Sequence, residues 1–335
     1  AAGGMGTNLR AVGLGSGRTP TAIPAGTDFT CALLDNGNVK CWGANDAGQL
    51  GQGDTATRGD GANEMGGNLA AVPLGGGRTA TALSAGRNHL CALLDNATVK
   101  CWGDAAFGQL GLGDTADRGD AVGEMGGNLP AVSLGTGRTA RSITVGASHS
   151  CAELDNDTVK CWGQNVHGQL GLGNVLHRGD DAGEMGDSLP TVDFGAGRSA
   201  SAVTAGGLFT CALLDDASLR CWGNNATFGA LGLGDEDSRG GSPTDMGANL
   251  PAVDLGLPHA VTQIAQGDLF SCAVLDDGSV RCWGRGPSLG LGTTTSRGDG
   301  PGEMGGDLPA VDLGANRTAV AVTAGRMHAC ALLDN

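Results

Sequence analysis

Residues 31–43 read CALLDNGNVKCWG, and the pattern returns at 91–103 (CALLDNATVKCWG), 151–163 (CAELDNDTVKCWG), 211–223 (CALLDDASLRCWG) and 272–284 (CAVLDDGSVRCWG). A sixth copy starts at Cys330 and reaches Asn335. Two apolar runs around a short polar turn form the pattern of a β-hairpin. With Asp35, Asn36 and Gly37 as a three-residue loop, Gly37 takes the left-handed position of a type I turn plus bulge. Leu34 then faces Asn38, Leu33 faces Val39 and Cys31 faces Cys41. Cysteines opposite each other at a non-hydrogen-bonded antiparallel position lie within disulfide reach. Ala97, Asp157 and Ala217 replace the turn glycine in other copies, which leaves room for loops that differ from repeat to repeat.

The pairs Cys31–Cys41, Cys91–Cys101, Cys151–Cys161, Cys211–Cys221 and Cys272–Cys282 are therefore expected as disulfides. The rival reading is a metal site, but zinc sites use shorter spacers and a second ligand pair nearby, which this sequence lacks. Disulfides in this number imply an oxidising compartment: secreted, cell-surface or periplasmic. Cys330 matches the first cysteine of a pair, and its partner is expected near position 340. Gly4–Leu9 matches the end of a connector such as Gly123–Leu129. Both features read as a chain cut from a longer array, and its start at Ala1 is compatible with a leader already removed.

The tryptophans at 42, 102, 162, 222 and 283 are spaced by 60, 60, 60 and 61 residues, and a methionine recurs at Met5, Met65, Met125, Met185, Met246 and Met304. Short β-like runs at this period indicate an all-β propeller or solenoid. One unit reads as an outer run Leu69–Leu74, an alternating strand Thr79–Ser84, and the hairpin His89–Leu94 with Thr98–Trp102, making a four-stranded blade. The expectation is a single repeat domain over 1–335. Its blades span about 8–67, 68–127, 128–187, 188–248 and 249–306, with a partial sixth at 307–335, in a closed ring of six or seven. Glycine supplies 63 of the 335 residues; being periodic, it marks tight turns rather than disorder.

Lys plus Arg number 20 against 35 Asp plus Glu, a net charge of −15, which argues against nucleic-acid phosphates as a partner. No apolar run approaches membrane-spanning length, so no membrane insertion is expected.

The string Ala85-Gly86, His89, Cys91-Ala92-Leu93, Val99, Cys101-Trp102-Gly103 and Gly108-Gln109-Leu110-Gly111-Leu112-Gly113 resembles the repeat of the regulator of chromosome condensation family. The resemblance runs through the chain. It implies a closed propeller of four-stranded blades, commonly seven, and is similar to a secreted bacterial branch with cysteines in the hairpin. Family roles on a small GTPase and chromatin fit poorly with an acidic chain lacking a basic tail. Another bacterial member binds an enzyme across one propeller face, which favours protein binding. The connector Arg118-Gly119-Asp120 through Asn128 departs from the shorter family linker.

Candidate chemistry is sparse. Arg-Gly-Asp stands at 58–60, 118–120, 178–180 and 297–299, and recurrence in phase with the fold makes it a connector turn, with arginine pairing to an acid such as Glu64 or Glu124, rather than an adhesion tripeptide. Asp114, Asp117 and Asp120 offer oxygen ligands for calcium; no other cofactor or metal is expected. His89, His149 and His328 occupy the position of Phe29, Phe209 and Phe270, hence a packing site. No Ser-His-Asp or Cys-His arrangement and no phosphate loop is visible, so no catalytic residue is expected. Partner binding is assigned to the variable loops after each Trp-Gly, with Asp46, Phe107, His167, Phe228 and Arg285 as contacts and Asn45, Asn165 and Asn225 as turn-formers. The sequence reads as a non-catalytic secreted or surface scaffold that binds a protein, with self-association open. The alternative is a calcium- or carbohydrate-binding adhesin on the same ring.

Overall fold

In the first repeat, strand β1 (Pro20–Ala22) pairs antiparallel with β2 (Phe29–Leu34), which pairs with β3 (Val39–Gly43). The computed structural model describes residues 11–256 and 259–335. Met5 and the Gly4–Leu9 match therefore lie outside the described residues. Three-stranded sheets of the same order follow: β4 (Ala80–Ala85), β5 (His89–Leu94) and β6 (Val99–Gly103), then β7 (Ala140–Val145), β8 (His149–Leu154) and β9 (Val159–Gly163). Next come β10 (Ala200–Ala205), β11 (Phe209–Leu214) and β12 (Leu219–Gly223), then β13 (Val261–Gln266), β14 (Phe270–Leu275) and β15 (Val280–Gly284). The sixth repeat contributes β16 (Ala319–Ala324) and β17 (Ala329–Leu333).

The hairpin register is as read from the sequence: Leu33 faces Val39 and Cys31 faces Cys41. Leu34 N–H donates to Asn38 O, so by alternation the cysteine pair three positions along is non-hydrogen-bonded and its side chains approach closely. All five expected pairs are disulfides, with Cα separations of 4.0–4.1 Å. The turns do not diverge. The third loop residue has φ of 75° at Gly37, 61° at Ala97, 65° at Asp157, 64° at Ala217 and 75° at Gly278. Packing of each hairpin against its neighbours imposes one turn and overrides the local cost of a left-handed non-glycine residue, about 1–2 kcal/mol.

The fourth run of each blade is thinner than expected. Val72 N–H donates to Val39 O, Val132 to Val99, Val192 to Val159, Val253 to Leu219 and Val311 to Val280. Each outer run is thus tied to the strand before it by one such bond. In four of the five runs the residue two positions earlier is proline (Pro130, Pro190, Pro251, Pro309), which has no N–H to continue the ladder. The outer run Leu69–Leu74 therefore completes the sheet of β1–β3, not that of β4–β6. A unit starting at Asn68 straddles two sheets.

Neighbouring sheets stack face to face, and the larger core clusters draw on two repeats: Leu33, Val39 and Leu50 of the first pack with Leu90, Leu94 and Trp102 of the second. The Gly-Gln-Leu-Gly turn is the joint. Gln109 O accepts Trp162 Nε1–H at 3.0 Å and Ser150 Oγ–H at 3.0 Å. The equivalent indole bonds are Trp102 to Gln49 O, Trp222 to Gln169 O and Trp283 to Ala230 O. Gly111, at φ 68°, sits under the Trp162 ring, where a Cβ would lie 2.8 Å from Nε1; only glycine permits that approach. Trp42 has no such neighbour on its side among the described residues, and it is partly exposed where the other four are fully buried.

The loops between first and second strands meet on the axis. Thr27 N–H donates to Arg87 O, Arg87 to Ala147, Ala147 to Gly207, Gly207 to Gly267 and Asp268 to Arg326, at 3.0–3.2 Å. Six such steps, four Ala-Gly with Val145-Gly146 and Gln266-Gly267, thereby surround one small cavity. This is a propeller.

Candidate protein-interaction face

The loop after each Trp-Gly begins beside the axial loop of its own blade: Ala44 N–H bonds Asp28 O, Asp104 bonds Asn88, Gln164 bonds Ser148 and Asn224 bonds Leu208. These loops and the axial mouth therefore share one face. The mouth is about 120 Å³ and lined largely by Ala and Gly backbone, below the roughly 300–1,000 Å³ of small-molecule sites. A larger recess of about 400 Å³ is lined mainly by Gly and Pro, with Asp254 its one charged residue. The axial mouth also carries Arg87, Gln266, Asp268 and Arg326, of which Arg326 and Asp268 pair with each other at 2.8 Å.

The structure does bring histidine and hydroxyl together, which linear inspection could not show. His89 Nε2 lies 3.1 Å from Ser150 Oγ, and His149 Nε2 lies 2.9 Å from Thr210 Oγ1. Ser150 donates its proton to Gln109 O and Thr210 donates to Gln169 O. Each histidine must then be the donor, with Nε2–H, and not a base. All four side chains are fully buried. Burial holds His89 down to about 3, aided by nearby His149, and His149 down to about 4. These are inter-blade packing contacts closed to substrate.

The Arg-Gly-Asp turns are likewise joints. Arg58 pairs its backbone with Gly43, and Gly53 N–H of the first connector donates to Gly119 O of the second Arg-Gly-Asp. The arginines find acids, though not always the ones anticipated: Arg58 with Asp54, Arg118 with Asp114 and Arg178 with Glu184. Glu64 and Glu124 instead accept the backbone N–H groups of Gly59 and Gly119. Asp114 is paired with Arg118 and Asp117 accepts Ala105 N–H at 2.8 Å. Burial, then a hydrogen bond shared with Glu124, pushes Asp120 up. The three residues considered for calcium are each engaged separately.

Among the five loop residues singled out, Asp46 is exposed, while Phe107, His167, Phe228 and Arg285 are partly buried. Phe107 stacks edge-on against His177 of the next repeat, with centroids 5.4 Å apart. The asparagines are turn-formers: Asn45, Asn165 and Asn225 accept the N–H of Leu50, Leu170 and Leu231, and all are buried. What the loop reading missed lies in the connector. In the third repeat, Asn165 Nδ2–H donates to Leu176 O and His177 Nδ1 accepts Asn165 N–H. These bonds tie the Val175-Leu176 segment to the Trp-Gly loop that carries Val166, and all three side chains are exposed (Val166 49 %, Val175 51 %, Leu176 61 %), while the adjacent His177 packs on Phe107. The equivalent connector pairs are Thr55-Ala56, Thr115-Ala116, Glu236-Asp237 and Thr294-Thr295. Aligning the connectors would have exposed this break.

The Regulator of chromosome condensation (RCC1) repeat profile matches residues 21–49, 80–109, 140–169, 200–229 and 261–288. The chain is 32 % identical over 220 residues to the ultraviolet-B receptor UVR8 of Arabidopsis thaliana, covering 65 % of this chain and 44 % of that protein. It is 27 % identical over 254 residues to the E3 ubiquitin-protein ligase HERC2 of Homo sapiens, covering 75 % of this chain and 5 % of the ligase. The chain thus spans less than half the length of these two relatives. Its fold matches human WBSCR16 with a TM-score of 0.69 at 18 % identity, over 95 % of this chain and 73 % of that one. It also matches Prp20p of Saccharomyces cerevisiae with a TM-score of 0.68 at 19 % identity, over 94 % and 68 %. These relatives are eukaryotic, and none bears on a bacterial or secreted origin. The five repeat matches and the propeller geometry place this chain in the regulator of chromosome condensation repeat family.

Proposed function

We propose that the chain is a non-catalytic propeller that binds a partner protein across the face carrying the Trp-Gly loops, with the third repeat at the centre of contact. The observation that carries this reading is the apolar group Val166, Val175 and Leu176 beside Phe107, in a scaffold whose repeats otherwise place small or polar residues there. Apolar and aromatic side chains grouped on a rigid surface supply most of the energy of protein interfaces. Support also comes from the fold relative Prp20p, whose binding to Gsp1p and histones and whose complex with Kap60 are described. A charge of −15 weighs against phosphate backbones as the partner.

The compartment belongs to the same reading. Five buried disulfides support work in an oxidising environment, secreted or at a cell surface, and no helix among the described residues is long and apolar enough to cross a membrane. The test is affinity capture from the extracellular and envelope fractions of the source cells, with the wild-type chain and Val175→Asp/Leu176→Asp as baits. A protein retained by the first and lost from the second is expected. Identical captures with both baits, with both folded, would refute the assignment of the face.

A further inference from the structure

On the opposite face, the hairpin turns carry a repeated ion pair. An arginine just before the inner strand reaches the first aspartate of its own turn: Arg18 to Asp35 at 3.4 Å, Arg78 to Asp95 at 3.6 Å, Arg138 to Asp155 at 3.5 Å and Arg198 to Asp215 at 3.4 Å. The fifth repeat keeps the turn and presents two carboxylates, Asp276 and Asp277, but has His259 in place of the arginine. His259 Nδ1 lies 2.9 Å from Asp276 Oδ1, and Nε2 lies 3.4 Å from Asp277 Oδ2. One ligand atom from each residue lies within 4.8 Å of the others, the one such trio among the described residues.

We propose that His259, Asp276 and Asp277 form a surface site for a divalent transition-metal ion of the zinc type. A guanidinium cannot ligate a metal, whereas an imidazole is among the commonest ligands, so the exchange in this repeat converts an ion pair into a nitrogen-plus-two-carboxylate donor set. That set, with a solvent-facing fourth position, suits zinc or a neighbouring first-row metal; calcium and magnesium prefer oxygen donors alone. Zinc bonds of about 2.0–2.2 Å in a tetrahedron place donors roughly 3.3–3.6 Å apart; because one ring nitrogen takes the metal, the carboxylate that faces the other nitrogen swings toward it, a movement open to these exposed side chains.

The donors are also held from outside the trio. Asp277 Oδ1 accepts Ser279 N–H at 2.9 Å and Ser279 Oγ–H at 2.7 Å, leaving Oδ2 toward the ring. Asp276 N–H donates to Ala260 O at 2.9 Å, tying the turn to the segment that carries His259. Such outer contacts orient metal ligands. Without metal, the ring sits between the two carboxylates. Metal ligands must be deprotonated to bind, so affinity falls as pH falls.

The experiment is calorimetric titration of zinc chloride into the chain carrying Cys330→Ser, which removes the free thiol, at pH 7.4 and pH 5.5. One zinc per chain is expected at pH 7.4, weakened by at least about tenfold in His259→Arg, in Asp277→Asn and at pH 5.5. His259→Arg restores the residue of repeats one to four and is expected to fold, which circular dichroism and a thermal melt verify. Equal zinc affinity in parent and His259→Arg, or no binding by the parent, overturns the site.

Discussion

Lowering the pH from 7 to 5 should destabilise this propeller through two buried histidines. His89 and His149 are held to about 3 and about 4 in the folded chain, against 6.5 for an ordinary histidine, because burial penalises the charged ring. Their folded values lie below their unfolded values. Between the two, the unfolded chain binds more protons, and stability rises with pH. The full contribution is therefore present above about 6.5 and is lost as pH falls toward 4 and then 3. At pH 5 the unfolded rings are almost fully protonated and the folded ones almost fully neutral, so each site costs about 2 kcal/mol relative to pH 7. Together they cost about 4 kcal/mol, a large fraction of the stability of an ordinary domain. The sequence supplies its own control, because Phe29, Phe209 and Phe270 occupy the same position in other repeats. Urea unfolding of the wild type and of His89→Phe/His149→Phe at pH 7 and pH 5 is the assay. The double variant loses the bonds to Ser150 and Thr210, so its absolute stability will differ, but its pH dependence should be flatter by about 4 kcal/mol. The partly buried carboxyls whose desolvation pushes them up, Asp117, Asp120 and Asp299, act in the opposite direction but are common to both proteins and cancel in the comparison. Equal pH dependence of the two proteins would refute the argument.

Three further outcomes follow from the joints and the hairpins. Gly111→Ala should cost about 2–5 kcal/mol, combining a left-handed non-glycine residue with overpacking against Trp162, while Gly123→Ala, at φ 87° with nothing within 4 Å of its Cβ, should cost only the backbone share; denaturant midpoints of the two variants measure the difference. Alkylation of the denatured chain should label one thiol, Cys330, without reductant and all eleven after reduction, read by intact mass, and Cys151→Ala/Cys161→Ala should lower stability by roughly 2–3 kcal/mol from the lost loop closure.

Much of the architecture is written in local pattern. The register of Cys31 with Cys41 follows from a turn only three residues long, and because that turn is local, the pairing and the disulfides could be counted from the sequence. The fourth strand was less legible. The Leu69–Leu74 run has an apolar pattern, but prolines in most of its counterparts remove the N–H that would extend the ladder, and its place beside Val39 rather than in the following sheet is a long-range fact. The turns at Ala97, Asp157 and Ala217 show the opposite override, in which packing enforced one conformation on residues that disfavour it.

The candidate face divides in the same way. That the Trp-Gly loops vary, and that their asparagines form turns, was readable because both properties reside within a few residues. That Phe107 is half-spent on His177, 70 positions later in the chain, was not, nor was the gathering of Val166 with Val175 and Leu176, because the bond from Asn165 to Leu176 closes a loop no periodicity announces. The same holds for His259 meeting Asp276 and Asp277, and for His89 meeting Ser150. The sequence alone determined the repeat, its strands, its bridges and its charge, all consequences of spacing and chemistry within one unit. Only the tertiary structure decided which side chains are buried joints and which stand free, because each repeat is covered by its neighbour, and that is a property of the stack rather than of the unit.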